Sequence, residues 1–537
     1  MKSQPESGPA KGFVLAAVSG LLLAFAFPRF DWAFLAWFAF LPLWTACRNR
    51  SPRRAALLGF TTGLVFYLIG LSWVTNTLTD YGHLHPAASW LVLVLLAAYL
   101  SAFPALFCWL LNRMVARNPL LFFLWAPVLW TSLEFLRSTP DVLGFSWLGL
   151  GYSQYASLPF IQIAEITGVY GVSALIVLVN AGLFVLSHPD FQKLEGFDRL
   201  RWPLAFMTVG CLGACWGYGT WQLNRAAPAG PVLKVALIQP NISQSMKWDP
   251  RFAGEVMAAF ESLTRRAAES QPDLMVWPEA ATPFYFERDP AGTRRVRQLV
   301  RRTGVPLVFG SPARVPLPGP LPEAGGPTEA LYNSAFLLDR QGRTLGRYDK
   351  VHLVPFGEFV PFRPVLFFVE KLTVGITDFA RGDSFDVLSV EGHRFGVNIC
   401  YEITFPDLVR RPVKDGAQFL VNITNDAWFG RSAASYQHIA MAALRAVENR
   451  APVVRAANTG ITGLIDASGK IRQATELFVQ DVVVGEIHPR TGPPTIYSQA
   501  GDLFAWICLS LTGILGFLAI IQRQGRFDSK PGANAPP

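Results

Sequence analysis

A thiol, a carboxylate and an ammonium group each follow a short apolar run in the second half of the chain. Glu279 ends the run DLMVWPE, Lys350 ends GRTLGRYDK, and Cys400 ends FGVNIC. Because ligand chemistry in open α/β sheets collects at the carboxyl ends of strands, these three side chains could converge. A thiol needs a base to become a nucleophilic thiolate, and a buried glutamate can serve. A lysine ammonium suits the oxyanion of acyl transfer.

Each of the three residues also has an ordinary structural interpretation. A glutamate or lysine at a strand end is usually a solvated charge, and a free cysteine usually packs as a small hydrophobic residue. Cys400 nevertheless differs from the other cysteines because it alone lies outside the long apolar segments. The others are Cys47, Cys108, Cys211, Cys215 and Cys508. The six show no spacing typical of a zinc site or a disulfide scaffold, so we expect no metal and no cofactor.

The segment 223–500, which carries these residues, alternates short β-type runs with helical patterns. The runs VLKVALIQ, DLMVWPE, VPLVFGS, FGVNICYE, QFLVNITND, VVRAAN and GLIDASG predict strands, and LYNSAFLLDRQGRTLGRYDK predicts a hairpin. Helices are predicted for AGEVMAAFESLTRRAAES, TRRVRQLVRRTG and 433–449. This alternation is typical of an α/β domain built around buried sheets.

The chain as a whole is too apolar for a soluble protein. Of its 537 residues, 51% are hydrophobic and 16% are charged, whereas soluble chains usually have about a quarter charged residues. Residues 1–222 contain seven apolar stretches, and 501–523 contain an eighth, each long enough to cross a bilayer as a helix. The stretches are 12–28, 31–47, 55–78, 88–112, 120–136, 163–187, 202–221 and 502–522. The sequence therefore predicts an integral membrane helical bundle of eight spans.

The basic residues predict how this bundle is oriented. Lysines and arginines concentrate before the first span and in every second loop, whereas the alternate loops hold only Arg29 and Arg137. By the positive-inside rule, both termini, including the tail 524–537, are expected in the cytoplasm and 223–500 outside. The net charge of +9 is spread over these loops, so we expect no nucleic-acid partner. The first span could alternatively be a cleavable signal peptide, which leaves the large domain on the same side.

Four motifs resemble those of a known enzyme superfamily. WPEAATPF, YDKVHLVPFGEFVPF, NICYEITFPDL and NITNDAWFG are similar to the four signatures of the nitrilase superfamily. A nitrilase-like domain between seven N-terminal spans and one C-terminal span resembles its membrane-embedded branch, the apolipoprotein N-acyltransferases. The resemblance covers essentially the whole chain. It implies an α-β-β-α sandwich for 223–500 and the last reaction of bacterial lipoprotein maturation.

The resemblance also implies roles for individual residues. Glu279 matches the general base, Lys350 the lysine that stabilises the oxyanion, and Cys400 the nucleophile. The supporting or substrate-binding residues of the family match Glu358, Tyr401, Glu402 and Trp248. Two of these have alternatives from the residues themselves. Glu358 could only position Lys350 through an ion pair, and Trp248 could be a packing aromatic.

The implied reaction is acyl transfer in two steps. A fatty acyl chain moves from the sn-1 ester of a phospholipid, expected to be phosphatidylethanolamine, to Cys400 as a thioester. It then moves to the α-amine of the diacylglyceryl N-terminal cysteine of an apolipoprotein. We expect a monomer in the bacterial inner membrane, surrounded by membrane lipid, with a periplasmic catalytic domain. The apolar segment 363–379 is interpreted either as an arm that dips into the leaflet and gates acyl chains or as a buried amphipathic helix.

Two other functions remain open from the residues alone. A membrane-tethered amidohydrolase would use the same three side chains on a small substrate, although eight spans exceed what an anchor needs. A transporter or ligand-binding sensor would usually carry more ionisable residues within its spans. Here Glu134 and Glu165 are the main candidates for such residues.

Overall fold

The structure is a computed structural model that describes most of the chain. The described residues are 9–115, 118–139, 143–225, 230–247, 249–317, 328–359 and 378–528. Trp248 and all but the last two residues of 363–379 lie outside them, as does the end of the C-terminal tail.

The first half of the described chain is helical. The helices are α1 Pro9–Phe25, α2 Leu41–Cys47, α3 Pro52–Gly70, α4 Val74–Asn76, α5 Pro86–Met114, α6 Pro119–Ser138, α7 Leu158–Ile161, α8 Ala164–Thr167, α9 Val169–Ser187, α10 Pro189–Gln192 and α11 Phe197–Asn224. Short 3₁₀ turns at Ala33–Trp37 and Leu150–Gln154 and a π turn at Thr77–Tyr81 lie between them. Several of these helices, including α3, α5 and α6, begin with proline, whose missing N–H costs nothing in the first turn.

Three of the described helices, α5, α6 and α9, are long and apolar enough to cross a membrane. A fourth candidate is α3 taken together with Val74–Tyr81, a pair that is bent by 58°. Shorter apolar segments at Ala10–Phe25, Ala33–Cys47, Leu158–Thr167 and Leu503–Phe517 fall in or beside other predicted spans. The stretch predicted as 163–187 is broken at Gly168, whose φ of 66° ends α8 before α9 begins. The prediction of eight spans therefore stays a prediction.

The second half of the chain forms an α/β domain, as predicted. The strands are β1 Leu233–Gln239, β2 Leu274–Val276, β3 Leu307–Pro316, β4 Glu329–Leu338, β5 Thr344–Asp349, β6 Val387–Val390, β7 His393–Ile399, β8 Phe419–Thr424, β9 Val453–Ala457, β10 Gly463–Ile465, β11 Ile471–Ala474 and β12 Asp481–Ile487. The remaining helices are α12 Gln244–Lys247, α13 Ala253–Ala268, α14 Pro290–Thr303, α15 Pro406–Lys414, α16 Ala434–Asn449, α17 Ile496–Ala500 and α18 Leu503–Asp528. Each run predicted as a strand contains one, whereas β6, β11 and β12 were not predicted.

Two mixed sheets of six strands pack face to face in this domain. Their strand orders are β12-β1-β2-β3-β4-β5 and β11-β10-β9-β8-β7-β6. The parallel strands β1-β2-β3 and β7-β8-β9 are buried on both faces, which explains their nearly continuous apolar sequences. Side chains of both sheets share one core, while α13 and α14 cover the first sheet and α15 and α16 cover the second. This is the expected α-β-β-α sandwich.

Helix α16 joins the sandwich to the helical bundle because it is buried on both sides. All of its residues except Tyr436 are buried. One face packs into the core of the second sheet through Ile439, Ala442, Ala443 and Ala446. The other face belongs to the core of the bundle through Ala434, Met441, Leu444 and Val447. The two parts of the chain are therefore held together by a shared hydrophobic element.

Gln437 on α16 uses both polar atoms of its amide to bond the bundle. Its Oε1 accepts the indole N–H groups of Trp147 at 2.7 Å and Trp73 at 3.3 Å. Its Nε2 donates to the backbone carbonyls of Pro28 and Gly70, both at 3.1 Å. Four groups from three segments of the bundle thus meet on one buried side chain.

We predict that Gln437→Leu destabilises the protein strongly. The substitution leaves two indole N–H groups and two carbonyls buried without this partner, and each such loss costs about 1–3 kcal/mol. The unfolding temperature in detergent micelles should fall by several degrees. Gln499→Leu is the matched control, because Gln499 is exposed and its side chain donates to the Pro494 carbonyl at the surface. Equal unfolding temperatures for the two variants would contradict this role of Gln437.

Candidate active site

Three of the predicted site residues follow the carboxyl ends of strands, as expected. Cys400 comes directly after β7, Lys350 directly after β5, and Glu279 three residues after β2. The Glu279 segment lies against β3 at Gly310, where an added Cβ would come within 2.7 Å of the Glu279 Cα. A glycine is needed at this position because no side chain fits between the two backbones. The glycine of the run VPLVFGS thus lets the carboxylate approach the site.

Lys350 lies between two carboxylates in the interior of the domain. Its side chain is only 1% exposed. Its Nζ is 2.9 Å from Glu358 Oε2 and 3.7 Å from Glu279 Oε1. Burial disfavours the ammonium, but the charges of Glu358 and Glu279 outweigh this effect and raise the pKa of Lys350. The lysine is therefore an ammonium at neutral pH.

Asn333 on β4 fixes the two carboxylates relative to each other. Its Nδ2 donates to Glu279 Oε1 and to Glu358 Oε1, each at 2.8 Å. Its backbone carbonyl accepts the Lys350 N–H at 2.9 Å, and the Val354 N–H donates to Glu358 Oε2 at 2.8 Å. The predicted base, the predicted lysine and the predicted supporting glutamate are therefore brought together in one hydrogen-bonded cluster.

Cys400 is a buried thiol on a strained backbone. Its φ is 52°, a left-handed conformation that side chains other than glycine rarely adopt. Burial and the Glu279 charge raise the pKa of Cys400 to about 12, and the charge of Lys350 opposes them. The resting side chain is accordingly a neutral thiol, so that a nearby base must take its proton when it reacts.

The backbone of Cys400 is held from two sides. His438 Nε2 lies 3.2 Å from the Cys400 carbonyl oxygen, which can only accept, so this nitrogen carries the proton. Burial and the charge of Arg455 lower the pKa of His438, which keeps the imidazole neutral. On the other side, the Ile399 N–H donates to Glu402 Oε2 at 2.7 Å. Together these bonds fix the turn Cys400–Thr404 in which the thiol lies.

Glu402 organises the backbone around the site rather than pointing at the reacting groups. Its Oε1 accepts the Tyr348 hydroxyl at 2.9 Å and the N–H groups of Val351 at 2.7 Å and His352 at 3.0 Å. With Ile399, the carboxyl group has four donors. It ties the segment after Lys350 to the segment before Cys400. Burial raises the pKa of Glu402 to about 7, while the donors favour the carboxylate.

Tyr401 connects the site to the helical bundle. Its ring stacks on Trp147, with ring centroids 6.2 Å apart and planes 15° apart. Trp147 belongs to the connection after α6, which Arg137 holds through bonds to the carbonyls of Phe145 at 3.0 Å and Trp147 at 2.7 Å. The residue next to the thiol therefore rests on a side chain of the bundle.

The two glutamates considered for transport have structural partners instead. Glu134 accepts the Leu150 N–H at 2.8 Å and the Ser173 hydroxyl at 2.5 Å, which fixes the same connection. Glu165 forms an ion pair with Arg450, the residue that follows α16. Both carboxylates hold the bundle together or join it to the α/β domain.

Four residues of the site were not predicted from the sequence. They are Asn333, Lys247, Trp147 and His438, which hydrogen-bonds the Cys400 backbone. Asn333 is a polar residue within an apolar strand, and this is the one signal that pointed to it. Lys247 immediately precedes Trp248 in QSMKWDP, and its Nζ donates to the Glu279 carbonyl at 2.9 Å. The predicted Trp248 itself lies outside the described residues.

Comparison with known proteins shows which family the chain is related to. Residues 19–182 match the model of the apolipoprotein N-acyltransferase N-terminal domain, and 234–495 match that of carbon-nitrogen hydrolases. The apolipoprotein N-acyltransferase of Geobacter metallireducens is 44% identical over 96% of both chains. The chain belongs to the apolipoprotein N-acyltransferase family. The enzyme of that name from Methylococcus capsulatus is 34% identical over 98% of this chain and 99% of its own.

The family membership confirms the predicted class, an acyltransferase on a carbon-nitrogen hydrolase domain. Among solved structures, an amidase of the nitrilase superfamily from Nesterenkonia is 22% identical over 52% of this chain and 97% of its own, with a TM-score of 0.37. As a member of the apolipoprotein N-acyltransferase family, the protein combines both matched domains in one chain.

We predict that Glu402→Gln destabilises the protein although it preserves the shape of the side chain. The amide keeps one oxygen but turns its NH₂ group toward the Ile399 N–H, so that two donors face each other in a buried place. The cost should be about 3 kcal/mol, measured as a fall of several degrees in unfolding temperature.

Glu391→Gln serves as the control for this substitution. Glu391 is an exposed carboxylate in the turn between β6 and β7 and pairs with Arg340. Its neutralisation should change stability by less than about 1 kcal/mol. If both variants unfold at the same temperature, the four bonds of Glu402 do not hold the site.

Proposed function

We propose that this protein transfers a fatty acyl chain from a phospholipid, through a thioester on Cys400, to the α-amine of an apolipoprotein. The acceptor amine belongs to the diacylglyceryl-modified N-terminal cysteine. One observation carries the proposal: Cys400 is buried beside an ion pair of Glu279 and Lys350, 3.7 Å apart, whose charges act on its thiol in opposite directions. That is what acyl transfer through a cysteine requires, namely a base for the thiol and a cation for the oxyanion.

In the first step, Glu279 takes the proton of Cys400 as the thiolate attacks the sn-1 ester carbonyl. Lys350 donates a hydrogen bond to the oxyanion, and Glu358 holds the ammonium in place at 2.9 Å. The protonated Glu279 then returns its proton to the departing glycerol oxygen. A lysophospholipid leaves, and the acyl chain stays on the sulphur as a thioester.

In the second step, the amine of the apolipoprotein attacks the thioester carbonyl. Lys350 again stabilises the oxyanion, and Glu279 accepts a proton from the amine. The C–S bond breaks, the thiolate is released and regains a proton, and an N-acyl amide leaves. A thioester suits this relay because it reacts readily with amines, provided that water is kept away from it.

Both proposed substrates are anchored in lipid, which explains why the site is joined to a helical bundle. We propose the finer arrangement of seven spans within 1–222, the catalytic domain as 223–500, an eighth span at 501–523 and the tail 524–537. The protein would lie in the bacterial inner membrane as a monomer, with both termini cytoplasmic. Phosphatidylethanolamine is the proposed donor. Tyr401 and Trp248 are proposed as supporting residues close to substrate.

The deciding experiment is intact-mass analysis of the purified protein after incubation with phosphatidylethanolamine in detergent micelles. We predict a single fatty-acyl adduct that hydroxylamine removes, because thioesters react with this amine. Cys400→Ala should carry none, and Glu279→Gln should form it at least about 10²-fold more slowly because the base is lost. Cys508→Ala is the control, since Cys508 is a free cysteine on α18 and should leave the adduct unchanged.

Two outcomes would overturn the proposal. If Cys400→Ala still N-acylates a diacylglyceryl peptide, Cys400 is not the carrier of the acyl chain. If Glu279→Gln forms the adduct at the rate of the wild type, Glu279 is not the base. Hydrolysis of a small amide without any lipid adduct would favour the amidohydrolase instead.

The proposed orientation predicts where a fused reporter works. A reporter enzyme that is active only in the periplasm, joined after Gly230, should be active in cells. The same reporter joined after Asn49, in the basic connection between α2 and α3, should be inactive because this connection is proposed to be cytoplasmic. The reverse pattern would invert the topology.

A further inference from the structure

Lys247 is a second buried lysine beside the candidate base, and the steps above give it no part. It ends the short helix α12 and is only 4% exposed. Its Nζ donates to the backbone carbonyl of Glu279 at 2.9 Å. Among the described residues this is the one hydrogen bond of its ammonium. A buried ammonium with a single neutral acceptor is costly unless a negative charge lies nearby.

The charges in the pocket indicate which carboxylate Lys247 compensates. Glu358 lies closest to Lys350, with contacts of 2.9 and 3.0 Å, while Glu279 remains at 3.7 Å. The first lysine is therefore paired mainly with Glu358. With Lys247 included, the four groups comprise two anions and two cations. Without it, the buried pocket would carry a net negative charge.

Lys247 is coupled to both partners of the proton transfer. Burial lowers its pKa to about 8, and the Glu279 carboxylate opposes this shift, as does Cys400 when it is a thiolate. Among the described residues these are the titratable groups that act on Lys247, one after β2 and one after β7. The nearby Asp249 forms an ion pair with Arg251 at the surface.

We propose that Lys247 is a positioning residue of the active site whose ammonium stabilises the negative charge as it passes from Glu279 to the Cys400 sulphur. The inference rests on the proposed role of Cys400 as the nucleophile. The S–H bond breaks, an O–H bond forms on Glu279, and the total charge of the pocket does not change. The ammonium interacts with the charge at both ends of this transfer. It also holds the Glu279 backbone through the carbonyl.

The test measures alkylation of Cys400 by iodoacetamide, followed by peptide mass analysis, because this reaction reports the thiolate without any lipid. At pH 7, Lys247→Met should react about tenfold more slowly than the wild type, which corresponds to a rise of about one unit in the pKa of Cys400. Lys247→Arg, which keeps the charge, should stay within about threefold. The control is Lys234→Met, because Lys234 bonds the Ser270 carbonyl away from the site.

The pH profile distinguishes an electrostatic role from a structural one. Below its pKa an ordinary thiol reacts about tenfold faster for each pH unit. In the wild type the increase between pH 7 and 9 should be smaller, because Lys247 loses its proton in this range. Lys247→Arg should show the full increase, since a guanidinium stays charged. The comparison of Lys247→Arg with the wild type tests the inference even if Lys247→Met fails to fold.

Equal alkylation rates for folded Lys247→Met and the wild type would overturn the inference, as would the same pH profile for Lys247→Arg and the wild type. Failure of the proposed function looks different. In that case the wild type forms no acyl adduct with phosphatidylethanolamine, while its Cys400 still alkylates in a manner that depends on Lys247.

Discussion

The buried ion pair of Lys350 with Glu358 constrains the rest of the site. An ammonium removed from water must have anionic partners, and its position is then set by them. Glu358 approaches to 2.9 Å, Asn333 bridges Glu358 to Glu279, and the backbone of β4 holds the Lys350 N–H. Glu279, the proposed base, is thus held in place by groups that also contact Lys350. Losing any one of these groups would leave a buried charge without its complement.

A second constraint acts on Cys400, the proposed nucleophile, through its backbone. The left-handed φ of Cys400 is held by Glu402 on one side and His438 on the other. His438 belongs to α16, one residue after Gln437, which bonds the bundle. The geometry of the thiol is therefore linked to the membrane part by adjacent residues of one helix. Stacking of Tyr401 on Trp147 forms a second link between the same two parts.

The sequence predicted those strands and site residues that depend on a single segment of the chain. The apolar runs predicted the central strands, and Glu279, Lys350 and Cys400 were expected to converge because each follows such a run. The strands before them belong to two different sheets, so the sequence alone did not determine how the three residues meet. The short edge strand β11 was missed because its residues are mostly exposed. Lys247 and Asn333 could not be predicted, because their importance arises from contacts between distant segments. The broken span at Gly168 reflects a tertiary contact, where the Tyr497 ring lies against the glycine.

The burial of α16 on both faces has a consequence for how the chain is assembled. A helix without a solvent face cannot complete its packing until both of its neighbours exist. The sandwich would expose the apolar residues Met441, Leu444 and Val447 if it folded before the bundle was in place. Assembly therefore has an order: the helical bundle, which precedes the domain in the chain, must be in place before α16 can complete its packing. The domain then matures against the bundle rather than as a free unit.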